Sequence, residues 1–119
     1  MKPSATASRS HELEIRRIAR FCEARVPARV RDKVRLEYAV AANKLTIVER
    51  RVPWSKDIGP EWTSMAIAQF RFARATKLWT LYYRDRNERW HVYDLIAPSP
   101  TVAPLLKEVD EDPTHIFWG

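Results

Sequence analysis

Residues 34–52 read VRLEYAVAANKLTIVERRV. In VRLEYAV (34–40) the apolar side chains fall at every second position: Val34, Leu36, Tyr38 and Val40 on one side, Arg35 and Glu37 on the other. An extended backbone points successive side chains to opposite faces, so this period predicts a half-buried strand. Ala42-Asn43 makes a short turn, and KLTIVERRV (44–52) supplies a second strand. The fold therefore starts from a hairpin.

Working toward the C-terminus, PWSKDIGPEWT (53–63) holds two prolines and a glycine and reads as a long loop bracketed by Trp54 and Trp62. SMAIAQFRFAR (64–74) alternates again, with Phe70 and Phe72 inward and Gln69 and Arg71 outward. LWTLYYRDRNERWHVYDL (78–95) gives strands four and five around a turn at Asp85-Arg86-Asn87-Glu88, where Asp and Asn side chains can bond their own backbone. A pairing of Arg84 with Arg89, Tyr83 with Trp90, Tyr82 with His91 and Thr80 with Tyr93 separates two faces. Trp79, Leu81, Tyr83, Trp90 and Val92 then form a core, and Thr80, Tyr82, Arg84, Arg89, His91 and Tyr93 a polar-aromatic surface. A three-residue loop with Asn87 left-handed shifts the pairing by one and mixes the faces. The segregating register is the expected one.

Working toward the N-terminus, residues 1–9 lack periodicity and are expected to be a flexible tail to a single domain over residues 10–119. From Ser10, a plausible N-cap, to about Val26, Ile15, Ile18, Ala19, Cys22 and Val26 form a helical apolar stripe. Arg16, Arg17 and Arg20 lie away from it, and Pro27 ends the helix. A last helix starts at Ser99-Pro100 or Thr101, with Val102, Leu105, Leu106 and Val109 as its stripe. Its acidic end (Glu108, Asp110, Glu111, Asp112) has the wrong sign for a helix C-terminus, which calls for a basic partner such as the first helix. The final HIFWG is apolar enough that it must dock on the core or on another subunit. The order αβββββα, with an antiparallel sheet and both helices on one face, is an α+β fold.

Composition narrows function. The chain has 119 residues, a net charge of +6 and a pI near 9.8, the basic excess lying before residue 96. Such a balance suits a nucleic-acid partner, and arginine, which outnumbers lysine, suits phosphate. No apolar run reaches the roughly 20 residues of a membrane span, and no signal peptide opens the chain, so a cytoplasmic protein is expected. One cysteine, Cys22, excludes an internal disulfide and reads as a buried, inert thiol. Gly59 and Gly119 cannot build a phosphate loop, which excludes ATP- or NAD-type binding by such motifs; no cofactor is implied. His11, His91 and His115 are too scattered for a metal set.

VRLEYAV, IVERRVPW, FRFARATKLWTLYYRDRNERWHVYD and the terminal DPTHIFWG together resemble a family of small bacterial proteins, domain of unknown function 3024. The resemblance spans about Glu12 to Gly119 and implies a shared fold in a bacterial cytoplasm, with no catalytic residues to carry over. The family pattern has glycine where His115 stands, so no role passes to that histidine.

Three functional readings follow. The first is nucleic-acid binding without catalysis: RNA or DNA phosphates met by Arg71, Arg84, Arg86 and Arg89 with Arg16, Arg17 and Arg20, and bases stacked on Tyr82, Tyr93 and His91. The plainer view of that face is that tyrosine and arginine are ordinary strand material against water. The second is a protein-interaction module docking a partner on the sheet face, the Trp54–Trp62 loop or the tail. The third is a metal-dependent nuclease using Glu37, Glu49 and Asp85, although nothing sets these at a ligand spacing.

Overall fold

The computed structural model describes residues 11–53 and 61–119. Strands β1 (Val34–Ala41) and β2 (Lys44–Arg51) form the expected hairpin, closed by Ala42-Asn43 with Ala42 left-handed at φ 50°. Strands β3 (Thr63–Ala73), β4 (Leu78–Arg84) and β5 (Trp90–Val92) continue it as an antiparallel meander in the order β1-β2-β3-β4-β5. Between Ile47 and Val48 the β2–β3 register slips by one, leaving Ile67 as the extra residue of a bulge.

Helix α1 (Glu12–Arg25) and helix α2 (Ala103–Glu111) cover one face of the sheet. Ile18 and Cys22 of α1 and Leu105, Leu106 and Val109 of α2 are buried in a single cluster with Leu45, Ile47, Phe70, Trp79 and Leu81 from the strands. The expected N-cap Ser10 lies outside the described residues. His11 occupies the N-cap position instead, 5% exposed, bonded to the Asn43 side chain at 2.9 Å and edge-on to Phe72 and Trp79.

The two helices hold each other's ends. Glu14 of α1 accepts the Val102 N–H at the start of α2 (2.8 Å). At the other end, Arg25 donates to the Asp110 carboxylate (2.6 Å), supplying the basic partner that the acidic terminus of α2 demands. The tail docks as expected. Asp112, left-handed at φ 42° and buried, accepts the backbone N–H groups of Phe117 and Trp118 through its carboxylate (3.1 and 2.9 Å). The Trp118 indole donates to the Val109 carbonyl (2.7 Å) and stacks under Arg25. Phe117 enters the core.

His115 is left-handed at φ 60°, a backbone conformation that favours glycine. Its side chain is exposed, so His115→Gly relieves strain without removing a buried group. We expect it to raise stability by about 0.5–1 kcal/mol in urea denaturation, the relief outweighing glycine's unfolded-state entropy.

The β4–β5 register corrects the expectation. Tyr82 pairs with Val92, Tyr83 with His91 and Arg84 with Trp90, one residue away from the segregating alignment. The loop has three residues, and Glu88 rather than Asn87 is left-handed, at φ 65°. Two polar anchors outweigh the separation of apolar from polar. Asp85 accepts the N–H groups of Asn87 and Arg89 and pairs with His91 at 2.6 Å. Tyr93, 3% exposed, packs on Phe117 and donates its hydroxyl to Glu108 at 2.7 Å. His91 and Tyr93 consequently turn to the helix side, and Trp90 and Val92 to the open face.

Candidate nucleic-acid interface

The helices leave the opposite face of the sheet uncovered by any described element. Strand alternation and the observed registers place Arg35 and Glu37 (β1), Lys44, Thr46 and Arg50 (β2), Gln69 and Arg71 (β3), Tyr82 and Arg84 (β4) and Trp90 (β5) on it. Five cations thus share the face with two carboxylates: Glu37, which lies 3.5 Å from Arg50, and Glu88 of the β4–β5 turn, which pairs with Arg84 at 2.9 Å.

Two cation pairs sit directly opposite each other across the ladder, Arg35 with Arg50 and Lys44 with Arg71. Like charges so placed destabilise a sheet. The guanidinium groups lie over rings: Arg71 over Tyr82 at 3.8 Å, Arg35 over Trp62 at 4.4 Å and Arg84 over Trp90 at 5.7 Å. Thr46, Gln69 and Arg71 form a hydrogen-bonded row that fixes the Arg71–Tyr82 stack, Gln69 Nε2 donating to Thr46 and Arg71 Nε to Gln69 Oε1. The Nε groups of Arg50 and Arg84 are buried with no hydrogen-bond partner among the described residues.

Of the ten residues named from the sequence, Arg71, Tyr82 and Arg84 come together here. Arg86 and Arg89 are exposed beside them on the β4–β5 turn. His91 stacks on Tyr83 on the helix side, and Tyr93, being buried, offers no stacking surface. Arg16 and Arg17 are paired with Glu12 and Glu14 on α1, beyond the far side of the sheet, with Arg20 exposed on the same helix. Arg35, Lys44, Arg50 and Trp90 were missed. The signal for the first three was the alternation of strands one and two, carried across the Ala42-Asn43 turn.

The three acids of the nuclease reading stay apart. Glu37 is on the open face beside Arg50, Glu49 on the helix side is held by Arg51 at 2.9 Å, and Asp85 is spent on its turn. Among the described residues, no group of three His, Cys, Asp or Glu side chains is placed to hold a metal ion. Burial pushes the Cys22 thiol up to about 11, as an inert core cysteine requires. Burial, followed by the bond to Glu108, raises the Tyr93 hydroxyl as well.

The Arg89 N–H and then the His91 ring hold the Asp85 carboxyl below its usual value. A lowered carboxyl contributes stability that is present above the unfolded value of about 3.9 and lost as pH falls through the folded one. Asp85→Asn should therefore flatten the acid limb of the stability curve, read by urea denaturation from about pH 5 downward.

A family model described as Domain of unknown function (DUF3024) matches residues 5–119. The chain belongs to that family. No curated protein and no solved structure matches it. Among the described residues of this DUF3024 domain, no helix is long and apolar enough to cross a membrane.

Proposed function

We propose that the open face of the sheet is a non-catalytic binding surface for single-stranded nucleic acid. The observation that carries the reading is the excess of cations on one face, opposed in like-charge pairs and mounted on aromatic rings. Phosphates would neutralise the Arg35–Arg50 and Lys44–Arg71 pairs, relieving repulsion that the free protein bears. Bases would stack on the Tyr82 and Trp90 rings, which belong to adjacent strands and stand diagonally across the β4–β5 ladder. Contacts of this kind give affinity with little sequence preference.

Fluorescence anisotropy with labelled single-stranded RNA, single-stranded DNA and duplex DNA tests the reading. We expect micromolar binding whose logarithm falls against log salt with a slope of about −3.5, roughly −0.7 for each of five phosphates met. Tyr82→Ala should weaken it about tenfold, one stacked base contributing about 1–3 kcal/mol. Absence of binding at low salt, or binding indifferent to Arg71→Ala with Arg84→Ala, would overturn the proposal.

A further inference from the structure

Strand β1 is an edge: among the described residues nothing pairs with its outer side. The direction of its backbone groups follows from two bonds. Val52 N–H donates to the Lys33 carbonyl (3.0 Å), extending the β1–β2 ladder by one pair, and Phe72 N–H donates to the Asn43 carbonyl (2.8 Å) on the other side of β2. In an antiparallel ladder hydrogen-bonded and non-bonded pairs alternate. The odd-numbered residues of β1 therefore bond to β2, and Val34, Leu36, Tyr38 and Val40 direct their N–H and C=O groups outward. Eight residues of extended backbone with unspent hydrogen bonds are a template for another strand.

The side chains select the occupant. A second copy pairing β1 with β1 about a two-fold axis must match outward residues with outward residues, which restricts the axis to a residue position. Centred on residue 35 the register sets Arg35 against Arg35, and centred on 37 it sets Glu37 against Glu37. Centred on Tyr38, both charges face alanines, Arg35 against Ala41 and Glu37 against Ala39. Centred on Leu36, Arg35 of each copy opposes Glu37 of the other, twice by symmetry, and cross-strand pairs of opposite charge stabilise.

The same register sets Tyr38, 42% exposed in one chain, opposite Val34 of the second copy. In its own chain Tyr38 lines a groove of about 470 Å³ between α1 and β1, together with Cys22, Val26 and Leu36. Among the described residues Arg35 is bonded through its Nε, to the Arg31 carbonyl, which leaves its two terminal nitrogens for the pairing. Glu37 has a loose contact to Arg50 that it can share.

We infer that the chain forms a symmetric dimer through antiparallel β1–β1 pairing centred on Leu36, making one ten-stranded sheet. Both open faces then lie on the same side.

Sedimentation equilibrium of the full chain without nucleic acid tests this, so the result is separate from the binding proposal. The wild type should sediment as a dimer in the micromolar range. Glu37→Arg alone, or Arg35→Glu alone, sets like charges opposite and should give monomers. The double swap restores opposite charges and should restore the dimer. Tyr38→Pro removes an outward N–H that no described residue of the same chain bonds and should also give a folded monomer by circular dichroism. A monomeric wild type overturns the inference, as does a dimer that survives Glu37→Arg and Tyr38→Pro.

Discussion

Asp112→Ala should destabilise the protein by about 3–5 kcal/mol, combining two charge-assisted hydrogen bonds with a strained left-handed alanine. The carboxylate is buried at the end of α2 and accepts the Phe117 and Trp118 N–H groups, so losing it orphans two backbone donors where the tail enters the core. Two further variants separate the components. Asp112→Gly keeps a residue comfortable at φ 42° and loses only the carboxylate, whereas Asp112→Asn tolerates that backbone and retains one acceptor. The expected order of stability in urea is wild type, Asn, Gly, Ala. An alanine variant as stable as wild type would mean that Phe117 and Trp118 hold the tail by packing alone.

Trp79→Ala should cost about 4 kcal/mol through the cavity it leaves. The indole is 1% exposed, meets His11 and Phe72 at ring-centre distances of 4.8 and 5.1 Å, and belongs to the cluster that joins both helices to the sheet. Its backbone exchanges both hydrogen bonds with Ser99, so the segment leading into α2 starts from the same residue. Against a typical total of about 5–15 kcal/mol, that loss brings a domain of this size near its unfolding threshold. Urea denaturation followed by far-ultraviolet circular dichroism checks it. A loss below about 1 kcal/mol would show that the core collapses into the space.

Where the partners of a side chain were close in sequence, the fold was legible. Val34, Leu36 and Val40 placed β1 by alternation alone, and Ile15, Ile18 and Cys22 placed α1 by helical spacing. The acidic end of α2 even pointed to a basic group on α1, which Arg25 supplies. The β4–β5 register was not legible, because the rule used was polarity and the deciding contacts were remote. Tyr93 looks like a surface residue until Glu108 takes its hydroxyl and Phe117 its ring. His91 looks like an open-face group until Asp85 turns it. Of the candidate surface, Arg71, Tyr82 and Arg84 were visible within their own strands. Arg35 and Arg50 acquire meaning only once aligned across the hairpin, an alignment that their separate strands do not display.

The strand order has a kinetic consequence. In a meander every strand pairs with its neighbour in sequence, so each sheet contact closes a short loop, and low contact order favours fast association. The contacts between α1 and α2 are among the most remote: Arg25 with Asp110 is separated by 85 residues and Glu14 with Val102 by 88. Loop-closure entropy makes those encounters improbable until the strands between them have paired. Substitutions at Glu14 or Arg25 should therefore accelerate unfolding while leaving the refolding rate almost unchanged, whereas substitutions in the β2–β3 ladder should slow refolding.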